Sequence, residues 1–174
     1  RDRIGREVVK RMRGFEMNIL VYDPYVKEDE IKNLGGKKVD LETLLKESDV
    51  VSIHSPLTKE TEGLIGEKEL GLMKPTAIMV NTARGELIDE DALIKALKER
   101  RISYAGLDVF RNEPINKDNP LLTLDNVVLT PHMAVQTFDA VVRMMNQNGI
   151  QVEKALNGIY ENVVNPEVLT KMKK

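Results

Sequence analysis

Residues 77–107 read AIMVNTARGELIDEDALIKALKERRISYAGL, and this stretch decides the fold. It opens with a short apolar run, Ala77-Ile78-Met79-Val80-Asn81. Asp89 then stands as an N-cap ahead of a helical stretch to about Arg101, with Leu93, Ile94 and Leu97 facing inward. A second run, Tyr104-Ala105-Gly106-Leu107, follows. Strand, helix and strand in that order make a βαβ unit, whose strands are parallel.

The same alternation extends in both directions. Asn18-Ile19-Leu20-Val21-Tyr22 reads as a strand stopped by Asp23-Pro24, Asp49-Val50-Val51-Ser52-Ile53 as another, and Val127-Val128-Leu129 as the last, with a short piece at Lys38-Val39. The runs are nearly continuous in apolar residues, the pattern of strands buried on both faces. Helices are expected from Ile4 to Arg13, ending near Gly14, and from Asp40 to Glu47. The longest is expected from about Val135 to Asn157, with Phe138, Val142, Met145, Val152 and Leu156 on one stripe and Gly158 as its stop. At 1.5 Å per residue it would be about 34 Å long, more than a crossover helix needs. The expected fold is therefore α/β, a doubly wound parallel sheet with a long C-terminal helix. The tail ending Lys171-Met172-Lys173-Lys174 is expected to fray.

Composition narrows the function. The 174 residues suit one domain with a short appendage, and 41% hydrophobic against 31% charged residues speaks against intrinsic disorder. With 26 basic and 28 acidic side chains the formal net charge is −2, which leaves no electrostatic footprint for nucleic acid or an anionic membrane. There is no cysteine, so no disulfide framework or thiolate metal site, and two histidines are too few for a His-rich metal centre. No apolar run approaches the roughly 18 residues of a membrane span. The chain starts at Arg1 with a charged stretch that lacks the apolar middle of a signal peptide, and it reads as a cut through something longer.

The chemistry-bearing residues follow strand after strand. Arg3-Ile4-Gly5 opens the first helix, and Asp23 ends the next strand. Together they read as the second half of a dinucleotide fingerprint, in which the acid accepts hydrogen bonds from ribose hydroxyls. Asp23 also reads as a turn residue before Pro24. If Gly5 is the third fingerprint glycine, the second falls on Asp2, where a Cβ and a negative charge would oppose a pyrophosphate. His54-Ser55-Pro56-Leu57-Thr58 follows one strand, either at a ligand edge or as a loop histidine beside a turn proline. Thr82-Ala83-Arg84-Gly85 follows the next, where the arginine either grips a carboxylate or simply lies at the surface. Asp108 to Glu113-Pro114 follows another, and Pro131-His132 the last. A base, an acid and an imidazole thus share one edge of a parallel sheet.

In order and spacing these segments resemble the NAD-dependent D-2-hydroxyacid dehydrogenases of 3-phosphoglycerate dehydrogenase and glyoxylate/hydroxypyruvate reductase type. The resemblance runs from Arg3-Ile4-Gly5-Arg6 through Thr130-Pro131-His132 to Asn162-Val163-Val164-Asn165-Pro166. It implies a Rossmann-like nucleotide-binding domain that lacks its first strand. Residues 1–133 would be the partial NAD-binding domain, and 134–174 a helix and tail returning to an absent substrate domain. It further implies that Arg84 binds the carboxylate of a 2-hydroxy or 2-oxo acid, that His132 is the general acid/base, and that Glu113 is its partner. Arg3, Ile4 and Gly5 would face the pyrophosphate, Asp23 the adenosine ribose, and His54 and Pro56 the adenine side. Thr82 and Asp108 would position the ribose and nicotinamide. The implied protein is a cytoplasmic homodimer with no nucleic-acid or membrane partner. A dinucleotide-binding regulatory or interaction module and an inactive remnant are the other readings of the same residues. The chain alone is expected to lack dehydrogenase activity, to bind NAD weakly or not at all, and to self-associate.

Overall fold

The structure, a computed structural model, describes residues 3–170. Asp2 and the lysine-rich end at 171–174 lie outside the described residues, and so do the expectations attached to them. In chain order the elements are α1 (Arg3–Met12), β1 (Leu20–Val21), α2 (Glu28–Leu34), β2 (Lys37–Lys38), α3 (Leu41–Glu47), β3 (Val50–Ile53), α4 (Glu67–Leu72), β4 (Ile78–Asn81), α5 (Glu90–Lys98), β5 (Tyr104–Leu107), β6 (Val127–Leu129) and α6 (Phe138–Leu156).

Side-chain caps set several helix starts. Asp40 Oδ1 accepts from Thr43 N at 2.7 Å ahead of α3, and Asp89 Oδ1 accepts from Asp91 N and Ala92 N ahead of α5. Thr137 caps α6 through its hydroxyl, so that helix begins at Phe138 and not at Val135. α5 ends three residues before Arg101. Arg100 turns left-handed at φ 54°, its N–H bonds Leu97 O, and Arg101 N bonds Ala96 O, closing the helix as a Schellman motif without glycine. Gly158, at φ 74°, closes α6 the same way.

All strand pairs are parallel. β3, β4, β5 and β6 form one sheet in that order, while β1 and β2 form a separate two-stranded one. In a nucleotide-binding sheet of order 3-2-1-4-5-6 the first strand lies between the second and the fourth. The interruption between β1 and β3 falls at that place. β1 is shorter than the five-residue run suggests, and β2 sits one residue earlier than Lys38-Val39.

One expectation is corrected. Val51, Ile53, Met79, Ala105 and Leu107 are buried and share one face by register, packed with Leu45, Leu70, Leu93 and Leu97 from α3, α4 and α5. The other face is less covered by its own unit: Ile78 and Val80 are only half-buried, Val128 is 68% exposed, and a Cβ at Gly106 would meet nothing within 4 Å. Continuous apolar runs therefore do not mean two equally covered faces in this chain. A measurable consequence follows. Met79→Ala, at a fully buried position, should cost roughly 2–5 kcal/mol, whereas Val128→Ala should stay within about 0.5 kcal/mol. Denaturant unfolding of the two variants checks this, and equal losses would mean that the less covered face is buried in solution.

The chain divides into two compact units, Arg1–His132 and Met133–Lys174. The second consists of α6 and a tail with one 3₁₀ turn, Pro166–Thr170. No residue of α6 is buried, and Phe138 and Leu156 on its apolar stripe are each 84% exposed. Among the described residues no helix is long and apolar enough to cross a membrane.

Candidate active site at the strand ends

The parallel register brings the C-terminal ends of β4, β5 and β6 to one edge. Asn81, the last residue of β4 and 1% exposed, organises the loop that follows. Its Nδ2 donates to Arg84 O at 2.8 Å, and its Oδ1 accepts from Ala83 N at 3.0 Å. Buried polar atoms need such partners, and here they shape the turn carrying Thr82 and Arg84. Arg84 itself is exposed, and its Nη1 donates to Ala83 O at 2.6 Å.

Gly85 meets the next loop. A Cβ there would land on the carbonyl group of Phe110 and the nitrogen of Arg111. Only glycine permits this approach of two backbones. Asp108 is buried after β5; its N–H bonds Asn81 O at 3.0 Å, and its Oδ1 accepts from Thr130 Oγ1 at 2.5 Å. Phe110 N donates to Glu113 Oε1 at 3.0 Å. Glu113 Oε2 lies 2.7 Å from His132 Nδ1. His132 holds a left-handed backbone at φ 50°, with its N–H on Thr130 O at 3.1 Å. A left-handed non-glycine residue stores strain, which surrounding structure must hold in place.

The electrostatics follow from these contacts. The bond to His132 holds the Glu113 carboxyl below its ordinary value, with the Phe110 N–H and the nearby positive charge of Arg84 adding to the effect. Glu113 is therefore ionised at neutral pH. An ionised carboxylate accepts only, so the hydrogen sits on Nδ1 and Nε2 is left to exchange a proton with a ligand. Glu113 and His132 are both partly solvent-exposed, so the pair reports orientation more than stability.

Asp23 lies in a second group of residues, at the end of β1. Its Oδ1 accepts from Tyr25 N at 2.8 Å and Val26 N at 3.0 Å, so the turn role is real. The same residue lines an open cleft of about 530 Å³ with Tyr22, Pro24, Lys38, Val39 and Asp40. The Lys38 ammonium is engaged by Val26 O. His54 follows β3, with its Nε2 3.0 Å from Ser52 Oγ, and Pro56 O accepts from Thr61 Oγ1 at 2.7 Å. Arg3, Ile4 and Gly5 open α1, whose first turn carries no acidic side chain. Sequence reasoning assigned no role to Asn81, Gly85 or Thr130. The readable signal was a polar residue ending an apolar strand, in Asn81, and a glycine directly after the arginine.

The fold and these two groups define a dinucleotide-binding α/β domain with an imidazole–carboxylate pair at its strand ends. The model of one family, described as D-isomer specific 2-hydroxyacid dehydrogenase, NAD binding domain, matches residues 2–134. The chain is 51% identical over 170 residues to a glyoxylate reductase of Korarchaeum cryptofilum, covering 96% of this chain and 51% of that protein. It is 49% identical over 165 residues to a D-3-phosphoglycerate dehydrogenase of Methanocaldococcus jannaschii, covering 94% of this chain and 31% of that one. A D-isomer specific 2-hydroxyacid dehydrogenase of Lactobacillus delbrueckii ssp. bulgaricus, solved in an NAD-complexed form, superposes with a TM-score of 0.81 at 32% identity, covering 91% of this chain and 51% of that chain. The chain belongs to the D-isomer specific 2-hydroxyacid dehydrogenase family and spans about half the length of the glyoxylate reductase it matches. NAD is the cofactor of the matched domain, and the residues present fit it. Asp23 puts a carboxylate on an open cleft, and the residues directly after it, Pro24 and Tyr25, carry no charge.

Proposed function

We propose that this chain is the nucleotide-binding, acid/base-carrying half of an enzyme that moves a hydride between NAD and a small 2-hydroxy acid. The observation that carries this reading is the 2.7 Å contact between Glu113 and His132, with Arg84 close enough to act on the same carboxylate. When bound, NAD supplies the two-electron step. This chain's residues supply the rest. Arg84 holds the acid's carboxylate with its planar guanidinium and orients the carbon that reacts. His132 takes the hydroxyl proton on Nε2 during oxidation and returns it to the carbonyl oxygen during reduction. Glu113 keeps the ring in the tautomer that this requires and faces the imidazolium that forms. Asp23 would hold the adenosine ribose, His54 and Pro56 the adenine side, and Arg3, Ile4 and Gly5 the pyrophosphate. Thr82 and Asp108 would position the ribose and nicotinamide.

The test is turnover by the full-length enzyme with NADH and a panel of 2-oxo acids: glyoxylate, hydroxypyruvate, its 3-phosphate and pyruvate. Reduction of at least one is expected, and no turnover on any of them would overturn the reading. Family membership supports a homodimer and a cytoplasmic location, which we propose for the protein.

The chain by itself is expected to turn nothing over and to bind NAD weakly or not at all. The cofactor needs the Asp23 group and the Glu113–His132 group in fixed relation. In this chain they sit on two separate sheets. The unpaired edges and the exposed stripe of α6 favour self-association. Calorimetric titration and light scattering measure both, and a monomer binding NAD at micromolar affinity would refute this expectation.

A further inference from the structure

The loop between β5 and the Pro120–Thr123 turn carries Glu113, yet residues 108–119 contain no helix or strand. Something must hold it for the carboxylate to stay on His132. Two features do so, and both come from the segment after β4. Beneath the loop, Gly85 lets the backbone of Phe110 and Arg111 rest against the arginine turn. From the side, Glu90 reaches it with both carboxylate oxygens. Glu90 Oε2 accepts from Arg111 N at 3.3 Å, and Oε1 accepts from Asn119 Nδ2 at 2.9 Å. Asn119 in turn accepts from the N–H of Leu121, a core residue. Glu90 is the first residue of α5, where the Asp89 cap fixes its backbone. Consecutive N–H groups therefore go to two carboxylates: Phe110 N to Glu113 and Arg111 N to Glu90.

We propose that Glu90 is a positioning residue for the acid/base pair. It pins both ends of the loop, keeps the Phe110 N–H aimed at Glu113, and so holds Glu113 on His132. It touches neither substrate nor cofactor in this role. The proposal deepens the catalytic reading above and rests on it for its kinetic consequence, but its structural part is measurable without turnover.

The groups facing Glu113 are His132, Arg84 and the Phe110 N–H. Glu90 acts through the last of them. The first measurement is the titration of the Glu113 carboxyl in the full-length enzyme, followed by carbon NMR. Glu90→Ala should raise its midpoint, because a loosened Phe110 N–H no longer favours the ionised form. Glu90→Gln should give a smaller rise, since its single carbonyl oxygen replaces one acceptor of two. Asp91→Asn should leave it unmoved, because Asp91 reaches only the Arg111 guanidinium, at 3.9 Å. The second measurement is kinetic. In the full-length enzyme Glu90→Ala should lower kcat by about 10- to 10²-fold with KM nearly unchanged, the scale of a small misplacement. Should the alanine variant fail to fold, the glutamine variant decides. An unmoved Glu113 titration would overturn the proposal, whether or not stability falls. A fall in kcat without a shift in that titration would overturn it too. Loss of the catalytic reading would appear differently, as a wild-type enzyme without turnover whose Glu113 titration still responds to Glu90.

Discussion

Replacing His132 with alanine in the full-length enzyme should lower kcat by roughly 10²–10⁴, the weight of a positioned acid/base group. Asp108, the other carboxylate at these strand ends, is buried with its Oδ1 on the Thr130 hydroxyl, so it is no comparable acceptor for the substrate's hydroxyl proton. Arg84 cannot give up its proton at working pH, and Glu113 points its oxygens at Phe110 N and the imidazole. Binding should change little, because Arg84 carries the carboxylate. Glu113→Gln should give a smaller fall. The amide still fits between ring and backbone, but the charge facing the imidazolium is gone. The sign of the pH dependence follows from the lowered titration of Glu113. Its carboxylate stays ionised down through the ordinary carboxylate range, and its contribution is lost only as pH falls through the depressed value. The glutamine variant should therefore resemble wild type at strongly acid pH and differ from it near neutrality. Rate profiles of the three proteins against pH provide the check. A histidine variant with full turnover would remove the acid/base assignment.

The parts of this site differ in how far the sequence reveals them. β4, β5 and β6 are legible because apolar runs that end in polar residues mark both a strand and its C-terminal edge. That logic places Thr82, Arg84, Asp108 and His132 just past strand ends, and the family resemblance implies their roles. What periodicity cannot carry is side-chain competition for backbone groups. The start of α6 slips from Val135 to Phe138 because the Thr137 hydroxyl caps it, and α5 stops early because Arg100 turns left-handed. The uneven burial of the two faces is hidden for a similar reason: an apolar run shows what a strand tolerates, not what covers it. Gly85 and Glu90 lie deeper still. Their roles arise from a loop twenty or more residues onward, and no local pattern announces it. Asp23 shows the opposite limit. Its one carboxylate supplies the turn and lines the cleft at once, two placements that a sequence pattern reads as alternatives.

That double use bears on cofactor choice. The full-length enzyme should prefer NAD to NADP by about 10² or more in kcat/KM. A 2′-phosphate would stand beside the Asp23 carboxylate, and like charges brought together cost several kcal/mol. Asp40 lines the same cleft and adds to the repulsion. Among the described residues lining that cleft Lys38 is the one cation, it donates to Val26 O, and it is outnumbered by the carboxylates of Asp23, Glu28 and Asp40. Relaxing the preference should therefore need two changes. Asp23→Ser removes the charge and keeps a short acceptor for the Tyr25 and Val26 amides, so the turn survives. It should reduce efficiency with NAD and narrow the ratio without reversing it. A basic residue in place of Tyr25, which is exposed, should then bring NADP turnover up by supplying the missing cation. Asp23→Asn separates charge from shape, since it keeps the turn acceptor at nearly the same size. If the asparagine variant retained the wild-type ratio, charge would not be the discriminator. A wild-type preference for NADP would remove Asp23 from the ribose site altogether.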